Sequence, residues 1–189
     1  MYTVTLKEGL TFANGNELTS EDVKHTFDRQ LAIADPNGPS SLLGNLEKVE
    51  AVDELTVEFH LKEPGDQTFP YVLCSPAGPI VDAEVFPADA VLSDAEIVDG
   101  NAFCGPYAIT SWKINELVTF EAFDGYKGLF GAPATASVSM SYYADQNNMK
   151  LDIQQGNIDC VWRSLSATDI ADLQGDDAVT VHELSLIHI

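Results

Sequence analysis

Apolar and polar residues alternate at the start of the chain. Tyr2, Val4 and Leu6 are separated by Thr3 and Thr5, the two-residue period of a half-buried strand. Gly9 and Asn14-Gly15 supply the positive-φ positions that tight turns need, and they bracket a short second strand. The period then lengthens. Val23, Phe27 and Leu31 form a helical stripe, Thr19 stands at the N-cap, and Glu21 and Asp22 place acid in the first turn. Residues 2–29 therefore predict strand, turn, short strand, turn and capped helix.

Asp35 to Ser41 is dense in turn formers and predicts a loop. Asn45–Val52 and Leu55–Leu61 predict a hairpin around Asp53-Glu54, with Leu55, Val57, Phe59 and Leu61 on one face and Thr56, Glu58 and His60 on the wet face. His60 reads as a solvent-facing strand residue, since no second His or Cys lies beside it at metal-ligand spacing. His25, between Asp22 and Asp28 on the polar side of the first helix, reads as a surface histidine. Gln67–Leu73 predicts a short helix, Cys74-Ser-Pro-Ala-Gly-Pro79 an irregular crossover, and Asp82–Asp99 short exposed helices joined by loops. The acids of that last stretch lack the alternation, glycine and closing glutamate of a calcium loop.

From Gly105 a second hairpin is predicted, Tyr107–Trp112 with Leu117–Phe123. Thereafter the period switches repeatedly. Ser137–Tyr143 predicts a strand, and Gln146–Gln155 a helix begun by Asp145 and ended at Gly156. Ile158–Trp162 follows as a strand, Thr168–Leu173 as a helix capped by Ser166, and Val179 onward as a strand. Such alternation implies β-α-β units with right-handed crossovers on an open mixed sheet.

Composition narrows the partners. Thirty acidic residues face nine Lys and Arg, for a net charge of −21, so phosphate backbones and anionic membranes are repelled and nucleic acid is excluded as a partner. The acid excess reads as a solvated surface. With 189 residues and 45% apolar content the chain can bury a core. No apolar run approaches the roughly 20 residues that span a bilayer, and, with Met1 leading straight into a strand, no signal peptide is expected within this sequence. Leu184-Ser-Leu-Ile-His-Ile189 resembles adaptor read-through, so residues 185–189 are expected to be a non-native tail; the other reading is a genuine final strand from Val179 to Leu184.

Three blocks carry a family resemblance. The segment Tyr2–Arg29, the run Cys104-Gly-Pro-Tyr-Ala-Ile-Thr-Ser-Trp112 with Val118–Tyr126, and Gln155-Gly-Asn-Ile-Asp159 stand in one order across nearly the whole chain. They resemble the extracytoplasmic solute-binding proteins of peptide and nickel ABC importers, the oligopeptide and dipeptide binding-protein family. Two departures are Lys127, where many members have Trp, and Cys104, where Thr or Ser is commoner. The resemblance implies a mixed α/β, periplasmic-binding-protein-like type II two-lobe fold, here incomplete. By it, residues 1–103 make most of the small lobe and 104–184 part of the main ligand-binding lobe. It also implies an extracytoplasmic location, a peptide as ligand, and an ABC permease as partner. Nickel chelates, oligosaccharides, other small solutes or a non-transport sensor module are the alternatives. Members begin with a signal sequence, often with a lipid-anchored cysteine, so the chain is expected to be truncated, with the principal ligand anchors beyond it.

Catalysis has little footing. Cys104-Gly-Pro-Tyr107 lacks the second thiol and following helix of a Cys-Gly-Pro-Cys redox site, and no Gly-x-Ser-x-Gly elbow, His-Glu-x-x-His helix or phosphate-cradling glycine loop is present. No catalytic residue, metal or cofactor is expected. Cys74 and Cys104, both at crossovers of an exported protein, are expected to pair, a bond that would stabilise by about 3 to 4 kcal/mol, while Cys160 reads as a small buried hydrophobe. Ligands of open α/β sheets lie beyond the carboxyl ends of strands, which nominates Trp162, Arg163 and Ser164; the crossover Ser75, Pro76, Ala77 and Gly78 is the second nomination. Other readings stay open: Trp162 as a core aromatic, Arg163 in surface pairs, and Ala77 and Gly78 as small residues in a sharp turn.

Overall fold

A computed structural model of the chain describes residues 1–129 and 131–182. The chain divides into two compact units, Met1–Met140 and Ser141–Ile189. The expected tail from Ser185, and the part of the last predicted strand beyond residue 182, lie outside the described residues.

In the first unit β1 (Tyr2–Thr5), β2 (Leu46–Ala51) and β3 (Thr56–Leu61) form an antiparallel sheet in the order β1-β3-β2. The predicted hairpin is present, and β1 adds to its far side, placing Tyr2 opposite Phe59 and Val4 opposite Val57. Alternation decides which face is covered: Val57 and Phe59 are 0% and 2% exposed, whereas Glu58 and His60 point to the other side. Helix α1 (Ser20–Ile33) closes the apolar face through Val23 and Phe27. Phe27 meets Phe59 edge-on, with centroids 5.1 Å apart at 88°, and Phe69 of the short α2 (Phe69–Val72) lies 5.6 Å from Phe59. Each such ring contributes about 1.5–3 kcal/mol by burial, with a smaller gain from ring geometry.

The N-terminus of α1 is held from several directions. The Thr19 amide donates to Asp22 Oδ2 at 2.8 Å, and the Ser20 amide and hydroxyl bond the carbonyls of Glu54 and Asp53 in the β2–β3 turn. Asp22 Oδ1 also accepts the Ala83 amide at 3.0 Å, and the Val81 amide donates to Thr26 Oγ1 at 2.9 Å. Between them Asp82, 1% exposed, accepts from Asn14 and Asn16. The stretch predicted as exposed short helices is thus anchored at its start, and only α3 (Asp94–Gly100), capped by Ser93, is helical. His25 is not simply a surface residue, because its Nε2 lies 2.7 Å from the Phe86 carbonyl.

Strands β4 (Tyr107–Lys113) and β5 (Leu117–Ala122) pair antiparallel, and β6 (Ser137–Ser141) adds beside β5. Val118 and Ala108 are buried, while every residue of β6 is exposed. In the second unit α4 (Gln146–Gln155) starts at Asp145 and ends at Gly156 (φ +71°), and α5 (Ala167–Gln174) is capped by Ser166, as expected. Lys150 Nζ joins the two helices, 3.0 Å from Asp169 and 2.8 Å from Asp172. The strands predicted at Ile158–Trp162 and Val179 onward do not form among the described residues. Extended backbone needs a neighbour for its amides and carbonyls, and this unit has no described strand of its own beyond Ser141, the last residue of β6. The β-α-β expectation is corrected accordingly. Leu173 is the one buried apolar side chain described in this unit. Among the described residues no helix is long and apolar enough to cross a membrane.

Phe59→Ala removes the ring that three elements share and is expected to cost about 3–5 kcal/mol, read as a lower urea midpoint. Gly78→Ala is expected to lower the melting temperature as well, because its Cβ would stand 1.9 Å from the Leu73 carbonyl oxygen. Acid should also destabilise the fold. Hydrogen bonds from Leu55 and Thr56 hold Asp53 below the usual carboxylate range, those from Thr68 and Asn45 hold Asp66 there, and those from Ser166 and Lys150 hold Asp169 there. A carboxylate depressed in the folded state stabilises above its unfolded value and loses that contribution as pH falls. The melting temperature should therefore drop as pH is taken below about 4. In Asp66→Asn the drop should be shallower, and an unchanged profile would contradict the assignment.

Candidate functional site

The segment Ser75–Gly78 is a tight turn following α2. The Gly78 amide donates to the Ser75 carbonyl at 2.9 Å, and Ser75 Oγ donates to the Val72 carbonyl while accepting the Ala77 amide at 3.2 Å. Ala77 is 0% exposed and belongs to the core cluster around Phe59, and its carbonyl accepts Gln30 Nε2 at 2.9 Å. The small residues here therefore serve a close approach of the chain to itself. Pro76 is the outward-facing side chain of the four.

Trp162, Arg163 and Ser164 belong to the second unit and follow α4 in irregular backbone. Trp162 is 73% exposed, which excludes the core reading in this structure. The Arg163 guanidinium stands over its ring, 5.6 Å from the centroid, so Arg163 is engaged with an aromatic face and, among the described residues, in no carboxylate pair. Arg163 and Ser164 both adopt the left-handed backbone region, at φ +68° and +65°. Two successive non-glycine residues in that conformation are costly and collect at functional positions.

The cysteines depart from expectation. Cys74, Cys104 and Cys160 are all free thiols, and the pairing of Cys74 with Cys104 is absent. Cys104 is turned inward instead, donating to the Ile80 carbonyl at 3.4 Å, and burial pushes its thiol up. Cys160, expected in a buried strand, is exposed because that strand does not form.

A cavity of about 360 Å³ in the first unit includes none of the nominated residues. Ile33, Phe86, Leu92 and Ile97 give it an apolar wall. Arg29 also lines it but is already committed, its guanidinium donating to the carbonyls of Pro87 and Ala90 and standing 5.5 Å from the Phe86 ring centre. Gln30, another lining residue, has its Oε1 buried and, among the described residues, without a hydrogen-bond partner. Nothing in the linear spacing of these residues signals the cavity, because it is made where the end of α1 meets the loop after it and residues 86–97.

The chain matches the profile of the bacterial extracellular solute-binding proteins, family 5 middle region, over residues 1–187. It is 28% identical over its full length to the Escherichia coli K12 probable D,D-dipeptide-binding periplasmic protein DdpA, covering 36% of that protein. Over 82% of the chain it is 32% identical to the glutathione-binding protein GsiB of Escherichia coli K12, covering 29% of it. In structure it is similar to the oligopeptide-binding protein AppA of Bacillus subtilis, solved with a nonapeptide, with a TM-score of 0.65 and 26% identity over 83% of the chain and 31% of that protein. The chain thus spans about a third of the length of the relatives it matches. Its neighbours among solved structures are type II periplasmic binding proteins, and the fold here is a part of theirs. With the profile extending over nearly every residue, this chain belongs to the bacterial extracellular solute-binding proteins, family 5.

Proposed function

We propose that the chain is part of the substrate-binding component of an ABC importer, which captures peptides outside the cytoplasmic membrane and delivers them to the permease. The observation that carries this reading is the family match over residues 1–187, together with relatives whose own descriptions name a D,D-dipeptide, glutathione and a nonapeptide. The role is binding, not catalysis, as in the rest of the family. Residues 1–103 would belong to the small lobe and 104–184 to the main lobe. Ligand would favour the closed arrangement of the lobes, and the permease would receive cargo from that state.

Within the chain, Trp162 with Arg163 and Ser164 is the segment best suited to meet a ligand. An exposed aromatic ring with a cation over it offers a flat apolar surface and charge together, and the two left-handed residues fix its presentation. The turn Ser75–Gly78 would contribute through Pro76 and through backbone, since the Ala77 side chain is enclosed.

Calorimetric titration of the complete protein with di- to pentapeptides is expected to give saturable one-site binding. Trp162→Ala should weaken it more than about tenfold, roughly 1.4 kcal/mol, without moving the melting temperature. An equal loss of thermal stability would return Trp162 to the core, and absence of binding to every peptide would contradict the proposed cargo.

A further inference from the structure

The outer face of the β1-β3-β2 sheet brings a histidine and two carboxylates together across strands. Glu50 of β2 stands directly opposite Glu58 of β3, and His60 lies two residues further along β3 on the same face. His60 Nε2 is 3.0 Å from Glu50 Oε2 and 3.4 Å from Glu58 Oε2, and one ligand atom from each of the three lies within 4.8 Å of the others. Directly opposed like charges destabilise an antiparallel pair unless a cation stands between them. Lys48 answers only one carboxylate, its Nζ 2.6 Å from the other oxygen of Glu50, and among the described residues Glu58 has no Lys or Arg within ion-pair distance. His60 Nε2 is shielded from solvent and, although close to both carboxylates, makes no well-directed hydrogen bond.

We propose that Glu50, Glu58 and His60 form a binding site for a borderline transition-metal dication, with Zn²⁺ as its representative. A cation held at about 2.0–2.1 Å by nitrogen and oxygen spaces its ligand atoms about 3.4 Å apart in a tetrahedron and about 3.0 Å apart in an octahedron. The separations of 3.0 and 3.4 Å around His60 Nε2 already have that spacing. One imidazole lone pair with two carboxylate oxygens suits Zn²⁺, Ni²⁺ or Cu²⁺, whereas Mg²⁺ and Ca²⁺ favour oxygen alone. Three protein ligands leave at least one position for water. Lys48 occupies the second oxygen of Glu50 and orients the first toward the metal, the part played by an outer-shell partner. A net charge of −21 raises the local concentration of dications. The site joins β2 to β3 on the face opposite the core, and it stands independently of the proposed peptide-binding role.

The test is titration of the metal-free, full 189-residue chain with ZnCl2, read by calorimetry and by the ring-nitrogen NMR signals of its four histidines. One equivalent should bind with a shift of the His60 signal. Affinity should fall about tenfold or more in His60→Gln and in Glu58→Gln, and stay within about twofold in His25→Gln. MgCl2 should not compete. Circular dichroism checks that each variant is folded, and if His60→Gln is not, Glu58→Gln and the wild-type NMR shift decide. An unmoved His60 signal on ZnCl2 addition, or undiminished Zn²⁺ affinity in the folded variants, would overturn the site.

Discussion

The contact between Phe27 of α1 and Phe59 of β3 is what the first unit is built on. Phe59 sits in the central strand, so the ring that meets α1 edge-on also meets Phe69, which in turn stacks on Tyr2 of the outer strand. Position and chemistry reinforce each other here. β3 can be central only because β1 and β2 both pair with it, and the apolar residues of all three strands then face the same helix. The hydrogen bonds of Ser20 to the β2–β3 turn fix the angle at which α1 arrives, and Asp22 and Thr26 carry that constraint outward to residues 81–83. One aromatic cluster thereby sets where the turn at Ser75–Gly78 must run, since Ala77 packs into it.

Much of this was legible in the sequence because it is local. Thr19, Ser166, Asp145 and Gly156 are helix ends whose side chain or backbone freedom acts within a few residues, and all four stand where helices begin or stop. The two hairpins were legible for the same reason, as alternating runs joined by turn formers. At Ile158–Trp162 and over residues 179–182 no strand forms, because an apolar, β-branched run states only a preference, and pairing depends on a neighbour elsewhere in the chain. The membership of β1 in the hairpin's sheet is likewise a long-range fact, as are the carboxylates of Asp22 and Asp82, which look like surface acid until Asn14, Asn16 and Ala83 meet them.

The candidate site divides along the same line. Ala77 and Gly78 could be read either as ligand wall or as sharp turn, and their burial and the close Leu73 carbonyl show the turn's demand directly. Trp162 could be read as core or platform, and exposure separates those where composition cannot. His60 shows the opposite failure. Spacing along one strand offers it no co-ligand, whereas register across β2 and β3 delivers two carboxylates. The pairing of Cys74 with Cys104 rested on compartment and loop position, and neither specifies that two thiols face each other.

Under the proposed function, this chain would meet a ligand mainly through aromatic and backbone groups, because its own nine Lys and Arg are few and several are already engaged. A crystal structure of the complete protein with a bound peptide tests that account most directly. It predicts the structure described for residues 1–129 and 131–182 retained within each unit, and the peptide in contact with the Trp162–Ser164 segment. A peptide bound with that segment remote from it, or a protein that takes up no peptide in the crystal at saturating concentration, would contradict it.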